Sequence, residues 1–321
     1  MGKSAQVSKG HPPGMQKEIS VKRGKKGRID KNRYGLFFLA PFFIAFLIFG
    51  LYPILYTLYL SFTSYDGFNN PVFIGMKNYT KVFTDPLFYE ALKNTVIMWV
   101  IGAVPQFIFA FLLAAVFTYN KVRGKGIFRA IYYLPRLVTA VSISALFNQF
   151  LSYPSGIVNQ LLTSLNIVGE PVNFLSSVPF AQGSIGLIHW WMFYGNTMIM
   201  VMAGMTAISP SLYEAAKVDG ANGWNLFWKI TFPLLRPVTA FVFLNSLVGG
   251  LQSFDVQQIL TGGLGAPQGK LMTVVMYLYN TAFKYNNFGY SAAIAYYLFF
   301  FIAIFASFSV MGRLKEGRES S

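Results

Sequence analysis

Six apolar stretches joined by short polar connections leave this chain few ways to fold. They lie near Tyr34–Leu60, Asn94–Tyr119, Gly126–Leu151, Gly183–Ile208, Pro237–Leu260 and Phe288–Met311. Each is long enough to cross about 30 Å of hydrocarbon at about 1.5 Å per residue. Lipid offers no water to unpaired N–H and C=O groups, so the stretches are expected to be helices that satisfy their own backbones. Pro41, Pro53, Pro105 and Pro135 are expected to kink or bound them. Composition excludes the soluble alternative, because 33 Phe and 19 Tyr among 321 residues exceed what one water-soluble core of this size can hide. The expectation is an all-α membrane protein with six transmembrane helices over residues 34–311. A disordered basic tail over 1–33 and a short tail over 312–321 flank it.

Charge sets the orientation. The formal net charge of +15 would suggest nucleic acid if it were spread over a soluble domain, but ten Lys and Arg lie within the first 33 residues. Beside a membrane such a tail meets anionic lipid, so no nucleic-acid partner is expected. The tail, Asn120–Arg129, the connection after the fourth stretch and the C-terminal tail together hold twenty Lys and Arg; the three alternate connections hold five. Positive charge stays inside, so both termini are expected in the cytoplasm. Ser152–Gln182, with no Lys or Arg, is expected outside.

The one long polar and amphipathic segment set between two spans is Ser209–Pro237, on the cytoplasmic side of this scheme. Ser211 and Glu214 have capping-box spacing, and Gly220 suits the left-handed residue that ends a helix near Asp219. Asn222 is expected to cap a second short helix, stopped by Pro233. The residues Glu214-Ala215-Ala216, then Gly220, Ile230 and Pro233 at their spacings, resemble the EAA motif of binding-protein-dependent ABC importer permeases. Phe232 departs from the leucine usual before the proline and stays apolar. Leu39-Ala40-Pro41, Phe254-Asp255-Val256, Leu260-Thr261-Gly262-Gly263 and Phe288-Gly289-Tyr290-Ser291-Ala292-Ala293 extend the likeness to the maltose/oligosaccharide branch.

The resemblance implies a coupling helix that seats in a groove on a cytoplasmic ATPase, with Glu214, Ala215, Ala216, Asp219, Gly220, Ile230 and Pro233 as its marks. It implies two copies of that ATPase carrying ATP and Mg, a second homologous permease subunit, an extracytoplasmic sugar-binding protein and a carbohydrate cargo. The location implied is a bacterial or archaeal cytoplasmic membrane. No complete Gly-x-x-x-x-Gly-Lys-Ser/Thr loop occurs, so nucleotide chemistry is expected on the partner.

Two histidines, His11 and His189, and no cysteine leave no ligand set for a metal. Intramembrane carboxylate pairs, which a membrane enzyme on lipid-linked substrates would need, are absent. Polar groups within spans are costly in lipid and tend to face a cavity. A sugar site needs amides and hydroxyls for its hydroxyl groups and aromatic faces for its ring. Matching along the EAA motif implies that the cargo lies near His189, Phe193, Asn196, Ser246, Gly250 and Ser253, and Gln252 joins them as a polar group of the fifth span. Trp190 is expected to pack, and Arg136 to reach the headgroups. A strongly cationic cavity would favour glycerol-phosphate instead; the candidates other than His189 and Asp255 are neutral.

Overall fold

The computed structural model describes residues 31–120 and 122–319, with side chains over 38–307 apart from residue 121. Residues 1–30 of the expected basic tail, His11 among them, lie outside that range. The described chain divides into two units, one ending at Ile54 and one beginning at Leu55. The first holds α1 (Lys31–Phe46), a π turn at Leu47–Leu51 and the start of α2 (Tyr52–Ser61). Its residues from Phe38 to Phe49 are almost all exposed apolar side chains, the surface that a lipid-facing helix requires.

The second unit opens with a two-residue antiparallel ribbon, β1 (Thr63–Ser64) against β2 (Val72–Phe73), and short α3 (Lys77–Thr84). Asp85 then caps α4 (Pro86–Tyr119), its carboxylate accepting from Leu87 N at 2.9 Å, with Pro86 at the position where a missing N–H costs nothing. α5 (Lys125–Leu137), α6 (Ala140–Leu151), α7 (Ile157–Ser164) and α8 (Val178–Thr206) follow. After α9 (Pro210–Val218) come α10 (Gly223–Asn225), a π turn at Leu226–Thr231 and α11 (Phe232–Leu234). The chain closes with α12 (Arg236–Leu251), α13 (Asp255–Thr261), α14 (Val274–Tyr279), a π turn at Asn280–Lys284 and α15 (Phe288–Glu319).

α4 and α8 are the central pair, and small residues bring them together. Gly102, Gln106, Ala110 and Ala114 recur every four residues along the buried face of α4. A Cβ on Gly102 would lie 2.9 Å from the Gly186 carbonyl oxygen, and one on Gly186 only 2.4 Å from Ile101 Cγ2. Only backbones can approach so closely, which is how helices pack where lipid gives no hydrophobic drive between them. Gln106 Nε2 donates to Thr197 Oγ1 at 2.8 Å across the same seam. The opposite face of α4 carries exposed Val100, Val104, Ile108, Leu112 and Val116, so the helix is apolar all round. Further buried clusters join α4 to α12, α14 and α15 through Phe88, Leu251, Val274 and Ile294, and to α6, α8 and α13 through Met98, Ile143, Ile185 and Val256.

The fold is an all-α, multi-span membrane bundle, with two differences from the sequence expectation. Among the described residues four helices are long and apolar enough to cross a membrane, or five if one bent pair is a single span. α8, expected as the fourth span, is 29 residues long but carries His189, Asn196 and two tryptophans, which dilute its apolar character. The third span is not one helix: α5 and α6 meet at 92°. Pro135 has no N–H, Val138 is extended, and the Thr139 hydroxyl accepts from Ser142 N to start a new helix.

Candidate functional site

A cavity of about 730 Å³ opens where these breaks and the central pair converge. α4 contributes Trp99 and Gln106; the α5–α6 bend contributes Tyr133, Arg136 and Thr139. α8 supplies His189, Phe193 and Asn196, α12 with the turn after it supplies Asn245, Ser246, Gly249, Gly250, Gln252 and Ser253, and the first residue of α13 supplies Asp255. All seven residues expected in the cargo pathway therefore line one space.

Their hydrogen bonding divides them. Ser246 Oγ accepts from Trp99 Nε1 at 3.2 Å, and Ser253 Oγ accepts from Gln257 Nε2 at 3.4 Å while its carbonyl takes Thr273 Oγ1 at 2.8 Å. Gly250 is a seat for Trp99: a Cβ there would fall 2.0 Å from Trp99 Cδ1. A Cβ on Gly249 would meet nothing within 4 Å, so Gly249 is the glycine with room beside it. The side chains of His189, Asn196, Gln252 and Asp255 make no hydrogen bond to any described residue, which leaves their donors and acceptors for a ligand.

The Arg136 guanidinium stands 4.9 Å from the Phe193 ring centre in this cavity. This corrects the headgroup expectation. The 92° bend places Arg136 between two helical halves, where turning to a polar cavity is cheaper than facing lipid. Trp190 packs as expected, edge-to-face on Phe109 at 4.9 Å and stacked on Tyr194 at 5.6 Å. Sequence reasoning missed Trp99, Gln106 and Tyr133; the seven-residue spacing of Trp99 and Gln106, one face of a helix, was the available signal.

The Ser209–Pro237 segment holds two helical pieces, α9, which buries no residue, and a second from Gly223 to Leu234, which buries Leu226 and Thr231. Ser209, not Ser211, takes the N-cap position because Pro210 occupies the first helical residue, and the two serine hydroxyls instead pair at 2.8 Å. The expected capping box is thus absent. The stop is as expected: Gly220 has φ +80°, Ala221 N donates to Ala216 O at 2.9 Å and Gly220 N to Lys217 O at 3.1 Å. Asn222 Oδ1 accepts from Asn225 N at 2.9 Å, capping the second helix. Pro233 does not stop that helix. The π turn before it shifts the Phe232 N–H to the Phe227 carbonyl, and the helix runs through Pro233 to Leu234. α9 buries none of its residues, and Glu214 and Asp219 make no side-chain bond to any described residue. Ala215 and Ala216 give its surface no bulk, while Trp224 and Trp228 on the second helix are exposed.

Known proteins place this architecture. The chain is 35% identical over 271 residues to the lactose transport system permease protein LacF of Rhizobium radiobacter, covering 84% of this chain and 90% of that one. It is 32% identical over 280 residues to the arabinooligosaccharides transport system permease protein AraP of Bacillus subtilis, covering 85% and 86%. A solved bacterial alginate ABC transporter, in complex with an alginate pentasaccharide-bound periplasmic protein, shares the fold. Its chain aligns at a TM-score of 0.74 and 24% identity over 88% of this chain and 94% of its own. With residues 95–316 matching that family, the chain belongs to the binding-protein-dependent transport system inner membrane components, as a multi-pass membrane transport subunit and not an enzyme.

Proposed function

We propose that the chain forms half of the translocation pathway of an ATP-driven saccharide importer. The observation that carries this reading is the cavity, whose lining brings unpaired amide, imidazole and carboxylate groups together with the ring of Phe193. Its volume falls in the range of small-molecule sites, roughly 300–1,000 Å³. Amides and carboxylates suit sugar hydroxyls, and an aromatic face suits the apolar side of a pyranose. Relatives named for lactose and arabinooligosaccharides support the same cargo class.

In this scheme α8 is the fourth crossing and brings the total to six, its polar face turned to the cavity. Both termini and α9 are cytoplasmic, in keeping with the twenty-to-five bias of basic residues. α9 is the coupling helix: Ala215 and Ala216 let it seat in a groove, and the Glu214 and Asp219 carboxylates meet groups on an ATPase. ATP and Mg are held by two copies of that separate ATPase, a second homologous permease subunit encloses the other half of the pathway, and an extracytoplasmic binding protein delivers the cargo. Transport then requires that ATP and the loaded binding protein both favour the outward-facing state by differential contacts.

The cavity lining carries one described guanidinium, Arg136, and one carboxylate, Asp255, a formal balance that favours a neutral saccharide over a phosphate ester. Uptake by cells lacking this chain tests the reading. Loss of labelled oligosaccharide uptake, restored by the wild-type chain and not by Asn196→Leu, is expected; selective loss of glycerol-phosphate uptake would contradict the cargo class.

A further inference from the structure

α9 buries no residue of its own, yet a coupling helix must be gripped by what it moves. Its covalent link to α8 is the non-helical stretch at residues 207–209, and its grip on α4 runs through one hydroxyl. Thr231, fully buried in the π turn, donates to the Leu226 carbonyl at 3.1 Å. Tyr213 of α9 reaches the same Oγ1 at 3.1 Å, and the hydroxyl of Tyr119, the last residue of α4, also bonds to it. A threonine hydroxyl has one proton and two lone pairs, so with its proton on Leu226 both phenols donate and Oγ1 is saturated. The rings of Tyr119 and Tyr213 add an edge-to-face contact at 5.8 Å. From Tyr119, α4 leads straight to Gln106 and Trp99 at the cavity, and the Gln106–Thr197 bond locks α4 to α8 on the way.

We propose that the Tyr213–Thr231–Tyr119 junction is the linkage that passes movement of α9 into α4 and so to the cavity, an inference that rests on the coupling role of α9. The three are positioning residues and touch neither cargo nor ATPase in this scheme. A buried three-way bond resists being pulled apart, because separating it strands polar atoms away from water. Across the break at residues 207–209 the links to α9 are the exposed Ser209–Ser211 hydroxyl pair and Leu212 N to Ser209 O at 3.1 Å, which water can replace, so α9 drags α4 more firmly than it drags α8.

The chain has no cysteine, so one introduced at Gly249, where the cavity has room, reports cavity opening by its rate of reaction with a membrane-impermeant maleimide. The transporter co-purified with the tagged Gly249→Cys chain is assayed in nanodiscs with and without ATP plus vanadate. In this background ATP is expected to change the rate by at least about fivefold, the lower bound of ordinary allosteric coupling. Thr231→Val and Tyr213→Phe are expected to abolish that change while ATP hydrolysis continues, and Thr231→Ser to keep it. Tyr119→Phe and Tyr213→Phe, each losing one peripheral hydroxyl, serve if Thr231→Val fails to accumulate. A full ATP effect in the tyrosine and valine variants, with Ala216→Arg inactive, would overturn the junction alone. A full effect in Ala216→Arg would overturn the coupling role of α9, and the junction with it.

Discussion

Arg136 and Phe193 meet face-on inside the cavity, guanidinium carbon to ring centre at 4.9 Å, across the gap between the bent third span and α8. The contact holds a cation in the last turn of α5, beside the bend, without a carboxylate partner among the described residues. Phe193 is a shared surface, since the His189 ring also meets it edge-to-face at 6.2 Å. Replacing Arg136 with Gln is expected to raise the apparent KM for cargo by about three- to tenfold with a smaller change in kcat, in line with a partly desolvated cation–π contact. Uptake kinetics in proteoliposomes check it.

The adjacent glycines of α12 should behave oppositely. Gly250→Ala must displace Trp99, whose Cδ1 would lie 2.0 Å from the new methyl, and it loosens the Trp99–Ser246 bond as well. A loss of about 1–3 kcal/mol is expected, seen as a lower melting temperature in detergent. Gly249→Ala meets open space and should leave the melting temperature unchanged while altering cargo affinity.

Acid should loosen the junction of α3 and α4. Asp85 Oδ2 accepts from Tyr277 and Tyr290, each at 2.5 Å, and its other oxygen caps α4. Burial pushes this carboxyl up, but the phenol and backbone hydrogen bonds outweigh it and hold the group below the ordinary aspartate range. A depressed folded-state value means the stabilisation is complete above about pH 4, the unfolded value, and is lost as pH falls through the folded one. Melting temperature measured against pH should drop in that acid window for the wild-type chain. Asp85→Asn should melt lower at neutral pH and show a flatter acid limb.

Lys270 and Glu90 form the ion pair between α4 and the α13–α14 connection, at 2.5 Å, with more than a third of each side chain exposed. Solvent screening limits its worth, so Glu90→Gln should cost no more than about 1 kcal/mol. Asn94→Ala should cost more than Glu90→Gln in the same melt, since the buried Asn94 amide donates to Gly269 O at 3.1 Å and holds the same connection.

Much of this was legible before any coordinates. Apolar run length announced a membrane bundle, and the polar residues of the later spans marked the cavity wall. Gly220 announced a helix end because only a left-handed residue closes that turn. The rest depended on tertiary context. Pro135 and Thr139 signal a break but not its 92° angle, and without that angle Arg136 reads as a snorkelling cation. Pro233 reads as a stop because the π turn that accommodates it is a register shift with no residue signature. α8 reads as an ordinary span because periodicity does not separate a polar face turned to a cavity from one turned to a neighbour. Thr231 could not stand out: its role comes from two tyrosines distant in sequence, one on α4 and one on α9.

Replacing Ala216 with Arg, or Glu214 with Lys, leaves the membrane bundle untouched because α9 buries nothing. Both variants are expected to reach the membrane at wild-type levels and to lose most transport, with immunoblot and uptake compared in the same cells.

The most direct test is ATP hydrolysis by the complex that co-purifies with the tagged chain in mild detergent, assayed with binding protein loaded in turn with lactose, arabinooligosaccharides and other saccharides. A co-purifying ATPase that accelerates with one loaded binding protein is the predicted result and names the cargo. A stable chain with no ATPase partner, or an ATPase indifferent to every loaded binding protein, would contradict the account.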